Sequence, residues 1–437
     1  MNEAQRTAPV VYPRERHSIS RANISPNALK VLYRLHHAGY QACLVGGGVR
    51  DLLLGREPKD FDVATDARPE EVRRLFRNSR LIGRRFRLVH VVFGREIVEV
   101  ATFRGMPRDD GEGERVVDAS GRIVRDNLFG TIEEDAWRRD FTVNALYYDI
   151  SDFTVRDYVG GMEDLEAGRL RLIGEPRARF LEDPVRMLRA VRFAAKLGFR
   201  LDPGIEALLP EMAHLIGEVS PARLFDEVLK LFHGGCALET FELLRRFDLF
   251  RYLFPLTEAI LAEEEAGFPR MLVARALANT DARVQAGKPV TPAFLYAALL
   301  WEPMRRRMPP LDGKGMSEIQ AIQVAGTRVV TEQVRHTAIP RRFSLAMREI
   351  WALQPRFARR TPRQVRALLG HPRFRAAYDF LLLRAEAGEV PADLAQWWTE
   401  LQALPPEGQA AMVQALGETE GKRRRRRRRR RRSAAQE

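Results

Sequence analysis

Leu44-Val45-Gly46-Gly47-Gly48-Val49-Arg50-Asp51-Leu52-Leu53-Leu54-Gly55 is the stretch that decides the fold of the first part of this chain. An apolar run, a glycine turn and a helix start follow one another, which predicts a strand leading into a helix. Glycines let backbone N–H groups approach an anion and a helix N-terminus attracts it, so the turn is a candidate phosphate cradle. It is neither a P-loop nor a dinucleotide fingerprint, and a tight turn without a ligand is an equal alternative.

The surrounding patterns predict a mixed α and β region. Ser25 is a helix cap followed by a proline at the first helical position. Phe61–Ala64 predicts a strand, and Val89–Phe93 with Ile97–Phe103 predicts a hairpin. A helix is predicted over Glu133–Leu146 after a loop at 105–132.

The downstream pattern is mainly helical. Val155–Val159 predicts a last strand, and from residue 162 onward the apolar spacing is that of helices. Arg179–Leu197 is a long amphipathic stretch that Gly198 closes.

Three carboxylates are candidate metal ligands. On a strand, Asp60 and Asp62 would share one face at a separation of roughly 7 Å, and such a pair can hold the two Mg²⁺ ions of a phosphoryl-transfer site. Glu99 lies in a strand that is apolar on both faces and would be a third carboxylate. The alternatives are a polar strand end for the aspartates and a salt bridge with arginine for Glu99.

Two arginine-rich segments, 138–146 and 182–193, are candidate triphosphate or base contacts. Helical spacing puts Arg186 and Arg189 on adjacent turns, and arginine forks suit phosphate oxygens and base edges. A solvated helix face with a Glu182–Arg186 ion pair, and Asp183 as an N-cap, is the alternative.

Four motifs in order carry a resemblance to a known family. They are Gly46-Gly47-x-Val49-Arg50-Asp51, Asp60-x-Asp62, Arg138-Arg139-Asp140-Phe141-x-x-Asn144-Ala145 and Glu182-Asp183-x-x-Arg186. Together they resemble the class II tRNA nucleotidyltransferase and bacterial poly(A) polymerase family over residues 25 to 260.

The resemblance implies an α+β fold: a polymerase-β-type nucleotidyltransferase head with a mixed sheet and helices, followed by all-α neck, body and tail domains. The implied divisions are a flexible arm (1–24), the catalytic head (25–160), a helical neck that binds the nucleotide base and RNA (161–260), an RNA-binding body and tail (261–405) and a disordered arginine-rich tail (406–437).

The resemblance also implies roles for the site residues. Asp60 and Asp62 would hold the catalytic Mg²⁺ ions, with Glu99 as a third catalytic carboxylate. The residues implied to bind the nucleotide are Gly46, Gly47 and Arg50 at the triphosphate, Arg139, Asp140 and Asn144 at ribose and triphosphate, Glu182, Asp183 and Arg186 at the base, and Arg189 beside them.

One segment separates the two branches of the family. Leu81–Val91 is similar to the signature of the poly(A) polymerase branch and lacks the His-Gly-Thr of the tRNA-finishing branch. The expected activity is template-independent transfer of AMP from ATP to RNA 3′ ends with release of pyrophosphate, which promotes RNA decay. CCA addition to tRNA is the alternative in the same chemistry, and a non-catalytic RNA-binding scaffold is the alternative of another class.

Composition agrees with a nucleic-acid partner. Eleven positive charges of a net +14 come from residues 422–432, and such a run binds phosphates without sequence preference. Anionic lipid is the alternative partner. RNA-decay or RNA-chaperone proteins are expected partners, and a monomer is the favoured oligomeric state.

The expected location is the cytoplasm. Cys43 and Cys236 have no metal-site spacing and are expected to be reduced. No apolar run reaches the roughly 18 residues that span a bilayer, and the first residues lack the apolar core of a signal peptide.

Overall fold

The computed structural model describes residues 8–83, 87–105, 115–117, 123–126, 128–264, 271–311 and 316–416. The chain forms two compact units, one ending at Leu215 and the other beginning at Ile216. This division falls inside the neck predicted at 161–260, so the first unit holds more of the chain than the predicted head.

The first unit is built on a mixed sheet. Its strands, with two short pairs beside it, are β1 (Val10–Tyr12), β2 (Ala42–Val45), β3 (Asp62–Thr65), β4 (Ser79–Ile82), β5 (Leu88–Phe93), β6 (Glu96–Thr102), β7 (Arg115–Val117), β8 (Ile123–Asp126), β9 (Leu146–Asp149), β10 (Val155–Asp157), β11 (Arg169–Leu170) and β12 (Arg200–Leu201). The main sheet has the order β1-β10-β9-β2-β3-β6-β5-β4. Within it β3 and β6 run parallel, and the other neighbouring strands run antiparallel.

Strand β2 lies inside this sheet, between β9 and β3. All four of its residues are apolar and buried. An inner strand covered on both faces is expected to be a continuous apolar run. In the antiparallel pair with β3, Val45 lies opposite Asp62. The glycine turn that follows β2 and the carboxylate that begins β3 therefore lie at the same edge of the sheet.

Helices of the first unit cover and connect the strands. They are α1 (Pro26–His37), α2 (Gly47–Leu53), α3 (Pro69–Leu75), α4 (Ile132–Arg138), α5 (Gly161–Glu166), α6 (Pro176–Glu182), α7 (Val185–Leu197) and α8 (Pro203–Met212). The predicted start of α1 is confirmed, because the Ser25 hydroxyl accepts a hydrogen bond from the Ala28 N–H. The predicted end of α7 is confirmed too, since Gly198 has a left-handed backbone with φ of 71°.

The flexible arm predicted at 1–24 is wrong from residue 10 onward. Strand β1 pairs with β10 over three residues, and Ile19 and Ile24 are almost fully buried. Pairing with a strand some 145 residues away leaves no local signal in the sequence. In the range predicted as a loop, β7 and β8 form an antiparallel pair; residues 106–114, 118–122 and 127 lie outside the described residues.

The second unit is helical throughout its described part. Its helices are α9 (Pro221–Phe232), α10 (Ala237–Arg246), α11 (Phe250–Leu253), α12 (Pro255–Glu264), α13 (Leu272–Gln285), α14 (Pro292–Leu299), α15 (Trp301–Arg306), α16 (Glu318–Gln333), α17 (Arg341–Ala358), α18 (Pro362–Leu369), α19 (Phe374–Glu386), α20 (Ala392–Ala403) and α21 (406–416). Across the described ranges, the helices are all too short or too polar to cross a membrane.

The last described helix corrects the predicted start of the disordered tail at residue 406. Val413 of α21 is 3% exposed and belongs to a core cluster with Phe357 and Trp398. The indole N–H of Trp398 donates to the Phe357 carbonyl oxygen at 3.1 Å, as expected for a core tryptophan. The arginine run at 423–432 lies outside the described residues.

Candidate active site

The glycine turn joins β2 to α2 and lies against two other predicted site segments. Gly46 has φ of 72°, a conformation that favours glycine. A Cβ on Gly46 would lie 3.5 Å from Nη1 of Arg139, and one on Gly48 would lie 3.4 Å from the carbonyl oxygen of Asp60. The turn thus brings together three motifs that are far apart in sequence.

Arg50 is held from two sides inside the protein. It is 2% exposed, and its Nε and Nη2 donate to Oδ1 of Asp51 at 2.8 and 2.6 Å. Its Nη1 donates to Oδ1 of Asn144 at 2.5 Å. The guanidinium is consequently fixed in orientation, and Asn144 is the partner that fixes it.

The three predicted carboxylates meet at the edge of the sheet. Asp62 begins β3 and lies opposite Glu99 in the parallel pair with β6. Asp60 precedes β3, so only Asp62 of the two aspartates lies in the strand, and their common face stays a prediction. Burial and the nearby negative charges of Glu99 and Asp60 raise the pKa of Asp62 to about 6, against the opposing effect of Arg139. Nε2 of His90 lies 3.3 Å from Oε2 of Glu99.

The donor set fits Mg²⁺. Oxygen ligands suit this cation, which is usually held by one or two carboxylates together with substrate phosphates. Where the structure describes the chain, no group of three or more acidic, histidine or cysteine side chains is arranged to hold a metal ion, so the protein would supply at most a pair of carboxylates and substrate phosphates the other ligands. Carboxylates that destabilise one another's charge, as at Asp62, are stabilised by a divalent cation between them.

Arg139 lies just after α4 and is held by two residues that the sequence analysis missed. Its Nε and Nη2 donate to Oδ2 of Asp135 at 3.1 and 3.0 Å, and Nε donates to the Tyr147 hydroxyl oxygen at 2.9 Å. Burial lowers the pKa of Arg139, but Tyr147 and Asp135 outweigh it and hold that pKa above its ordinary value. The i,i+4 spacing of Asp135 and Arg139 is the sequence signal that could have found this pair.

The helix predicted over Glu133–Leu146 is wrong beyond Arg138. A short 3₁₀ turn occupies Thr142–Asn144, and Leu146 begins β9. The Phe141 N–H donates to Oδ1 of Asp140 at 2.8 Å, so a side-chain oxygen takes the place of the backbone carbonyl that would accept this bond in a helix. Arg139, Thr142 and Leu146 therefore do not lie on one helix.

Asp140 forms an ion pair with Arg189 of α7. Nε and Nη2 of Arg189 lie 2.6 and 2.5 Å from Oδ2 of Asp140. Burial raises the pKa of Asp140, yet Arg189 and the Phe141 N–H lower it to about 2. Asp140 is thus ionised at neutral pH, and it fixes Arg189 beside the 3₁₀ turn.

The Glu182-Asp183-x-x-Arg186 motif lies where α6 ends and α7 begins, so the stretch predicted as one helix is two. Glu182 Oε2 accepts from Nη1 of Arg186 at 2.5 Å and from Nη1 of Arg179 at 2.6 Å. The N–H of Val185 donates to Oδ1 of Asp183 at 3.3 Å. The Glu182–Arg186 ion pair therefore forms, whereas Asp183 ends α6 and is not the N-cap of α7, which is Pro184. The nucleotide roles of these residues stay a prediction.

Arg179 is a further residue that the sequence analysis missed. Its Nη2 donates to the carbonyl oxygens of Arg138 and Arg139 at 2.9 and 2.6 Å. Burial and the charge of Arg186 lower its pKa to about 10. Through Arg179, the segment that holds Arg139 and the motif of Glu182 become one connected group.

Three family models match the chain. The "Poly A polymerase head domain" matches residues 42–171, the "Probable RNA and SrmB- binding site of polymerase A" matches 198–261, and the "Polymerase A arginine-rich C-terminus" matches 314–432. The chain is 51% identical over 419 residues to a poly(A) polymerase I of Salmonella typhi, covering 94% of this chain and 90% of that protein. The chain belongs to the bacterial poly(A) polymerase I family.

Other relatives place the family within a wider group. A poly(A) polymerase I of Haemophilus influenzae is 46% identical over 91% of this chain and 88% of its own length. A CCA-adding enzyme of Bacillus pumilus is 37% identical over 56% of this chain and 60% of its own length. The crystal structure of a Bacillus stearothermophilus CCA-adding enzyme with CTP is 29% identical, covers 85% of this chain and 81% of its own, and has a TM-score of 0.59.

Membership of the poly(A) polymerase I family settles the class of activity. The chain is a nucleotidyltransferase that polyadenylates RNA, and the predicted fold class, a nucleotidyltransferase head followed by helices, is confirmed. RNA binding is confirmed at the level of the family model over 198–261.

Proposed function

We propose that the connected group around the glycine turn transfers AMP from ATP to the 3′-hydroxyl of RNA. The hydroxyl gives up its proton to one of the site carboxylates, its oxygen attacks the α-phosphorus, the bond from that phosphorus to the bridging oxygen breaks, and pyrophosphate leaves. The observation that carries this assignment is the position of the fixed Arg139 guanidinium, which acts on the carboxylate of Asp62 and lies against the glycine turn that leads to Arg50. Positioning and charge stabilisation supply most of the catalysis in such a transfer.

Asp60 and Asp62, with Glu99 beside them, would hold Mg²⁺, because their oxygen donors and mutual repulsion fit a divalent cation. When bound, the cation supplies Lewis-acid stabilisation of the phosphates and of the attacking oxygen. In its absence Asp62 titrates at about pH 6. At neutral pH Asp62 is mostly ionised and ready to receive a cation.

The arginines would bind the triphosphate in a fixed geometry. Some of the N–H groups of Arg50 and Arg139 donate to protein partners. These bonds fix the direction in which the other N–H groups of each guanidinium point. A guanidinium that is already ordered loses little conformational entropy when phosphate oxygens arrive. Gly46 and Gly47 lie directly against these two guanidinium groups, since a Cβ on Gly46 would lie 3.5 Å from Nη1 of Arg139 and one on Gly47 would lie 3.4 Å from Nη2 of Arg50.

The base of ATP would lie against Glu182, Asp183 and Arg186. Glu182 fixes Arg186 through the 2.5 Å contact, so Arg186 presents a defined set of donors to a base edge. Arg189 and Asn144 lie beside Asp140, which we assign to the ribose side. The protein, rather than a nucleic-acid template, would select the nucleotide.

RNA would contact the helical second unit and the arginine run at 422–432. We place the reaction in the cytoplasm, because Cys43 and Cys236 are free thiols. The 3′ ends of mRNA and small RNAs are the proposed substrates, and entry into decay is the proposed outcome. RNA-decay or RNA-chaperone proteins are the proposed protein partners, and a monomer is the proposed working unit.

The test is incorporation of each single labelled nucleoside triphosphate, with Mg²⁺, onto an unstructured oligoribonucleotide and onto a tRNA that lacks its 3′ end. We expect long products from ATP alone on the unstructured primer. Addition of two C and one A restricted to the tRNA would move the chain to CCA addition. Absence of incorporation on both primers would support the non-catalytic scaffold instead.

Site variants make the assignment specific. Asp60→Ala and Asp62→Ala should each abolish AMP incorporation without changing the circular dichroism spectrum. Asp66→Ala is the matched control, because Asp66 follows the opposite end of β3, where it accepts the Gln41 N–H at 2.8 Å. Near-normal activity in either of the first two variants would end the metal assignment.

A further inference from the structure

One aromatic ring in the first unit, that of Phe193 in α7, lies beside three guanidinium groups. The Cζ atoms of Arg50, Arg189 and Arg192 lie 5.3, 5.4 and 4.4 Å from its centroid. Phe193 is only 7% exposed. Cation–π attraction operates within about 6 Å and is strongest when the cation is removed from water.

The ring stabilises a concentration of positive charge, and carboxylates pair with two of its members. Arg50 is paired with Asp51 and Arg189 with Asp140. These ion pairs fix one side of each guanidinium, and the electron-rich ring supports the guanidinium from another direction. The three guanidinium groups can therefore lie close together around one ring despite their mutual repulsion.

The orientation of Phe193 is itself determined by a neighbouring ring. Phe141 packs against it edge to face, with centroids 5.6 Å apart and an interplanar angle of 80°. Phe141 is fully buried and follows Asp140 directly in sequence. In the described part of the chain, no guanidinium lies over the Phe141 ring. Phe141 therefore packs against Phe193 but makes no cation–π contact of its own there.

We propose that Phe193 is a positioning residue, which holds Arg50 and Arg189 in the orientation that receives the triphosphate of ATP. The proposal rests on the proposed function, because that function assigns both arginines to the nucleotide. The contacts of Phe193 are with the guanidinium groups and with Phe141, so it would act on the nucleotide through the arginines. Its effect is on nucleotide binding in ground and transition state alike, so its loss raises KM for ATP and leaves kcat nearly unchanged.

Aliphatic and aromatic replacements in the full-length protein give the first test. Phe193→Leu keeps apolar volume and removes the ring, and we expect KM for ATP to rise about tenfold with kcat within about twofold. Phe193→Trp and Phe193→Tyr keep a π face and should stay within about threefold of the original KM. A Phe193→Leu enzyme with unchanged KM would overturn the proposal.

Stepwise fluorination gives a second test that separates the ring's charge distribution from its packing. Replacing Phe193 with mono-, di- and trifluorophenylalanine weakens cation–π attraction at nearly constant shape. We expect KM for ATP, and Kd for a non-hydrolysable ATP analogue, to rise with each fluorine. The same series at Phe141 should leave both constants flat, because none of the described cations lies over that ring.

The outcomes distinguish the two levels of inference. A flat series at Phe193, or an equal rise at Phe193 and Phe141, overturns the positioning role. Failure of the unsubstituted protein to incorporate AMP refutes the proposed function, while the analogue's Kd series still decides whether Phe193 orients a triphosphate site.

Discussion

Replacing Asp62 with asparagine should stabilise the metal-free protein while abolishing its activity. Asp62 has a pKa of about 6 in the folded protein, raised from 3.8 by burial and by the charges of Glu99 and Asp60. A carboxyl whose pKa is higher in the folded state contributes its full stability below pH 3.8. That contribution is lost as pH rises through about 6, because the carboxylate must then be held ionised in an unfavourable place.

The size of the effect follows from the two pKa values. With a pKa of 3.8 in the unfolded chain and about 6 in the folded protein, ionisation of Asp62 lowers the free energy of unfolding by about 3 kcal/mol at pH 7.5. At pH 4.5 the same two pKa values give a loss of about 1 kcal/mol. Asparagine keeps the shape and removes the charge. Asp62→Asn should accordingly raise the free energy of opening by about 2–3 kcal/mol at pH 7.5 and by less than about 1 kcal/mol at pH 4.5.

Hydrogen exchange at the β3 amides, in EDTA at both pH values, measures this local free energy. Adding Mg²⁺ should protect the original protein and leave Asp62→Asn unchanged. Asp152→Asn is the control, because Thr154 and Arg156 lower the pKa of Asp152 despite its partial burial; this variant should gain no protection. An Asp62→Asn protein that opens as readily as the original at pH 7.5 would refute the electrostatic reasoning.

Three further predictions concern packing, an unpaired hydroxyl and the basic tail. Gly161→Ala should destabilise the first unit by about 2–4 kcal/mol in thermal unfolding, because its Cβ would lie 2.3 Å from the Thr142 carbonyl oxygen. Tyr296→Phe should leave the free energy of unfolding in urea unchanged or raise it by up to about 1 kcal/mol, because the buried Tyr296 hydroxyl has no hydrogen-bond partner among the described residues. Truncation after Gly421 should weaken RNA binding and reduce the steepness of its salt dependence in fluorescence anisotropy.

Each of these has a control. Gly370→Ala should be nearly neutral, because the neighbour that its Cβ would meet lies at an ordinary 3.6 Å. Tyr147→Phe should lose about 1–3 kcal/mol, because its hydroxyl donates to Asp135 at 2.6 Å. A Tyr296→Phe protein as destabilised as Tyr147→Phe, or a truncated protein with an unchanged salt slope, would contradict the reasoning.

Interactions between residues close together in sequence explain which elements could be predicted correctly. Ser25 and the proline after it begin α1, and Gly198 ends α7, because capping depends on a few neighbouring residues. The four motifs of the site lie at the turn after β2, around the start of β3, at the end of α4 and at the junction of α6 with α7, and the nucleotide roles of their residues stay predictions.

Long-range contacts explain what the sequence did not predict. Strand β1 exists because β10 accepts it as a neighbour. The chain leaves helical geometry after Arg138 because Asp140 bonds to the next N–H and to Arg189 from α7. Arg179 and Tyr147 are ordinary residues in the sequence, and their importance depends on partners that only the folded chain supplies.

The parallel pairing of β3 with β6 has a consequence for how this enzyme can change over evolutionary time. Asp62 and Glu99 lie opposite each other in that register. Because successive side chains of a strand point to opposite faces, a one-residue insertion in β6 ahead of Glu99 would turn its carboxylate to the other side of the sheet. The turn at Gly94 can absorb insertions and deletions, whereas the stretch from Glu96 to Glu99 must be inherited at fixed length.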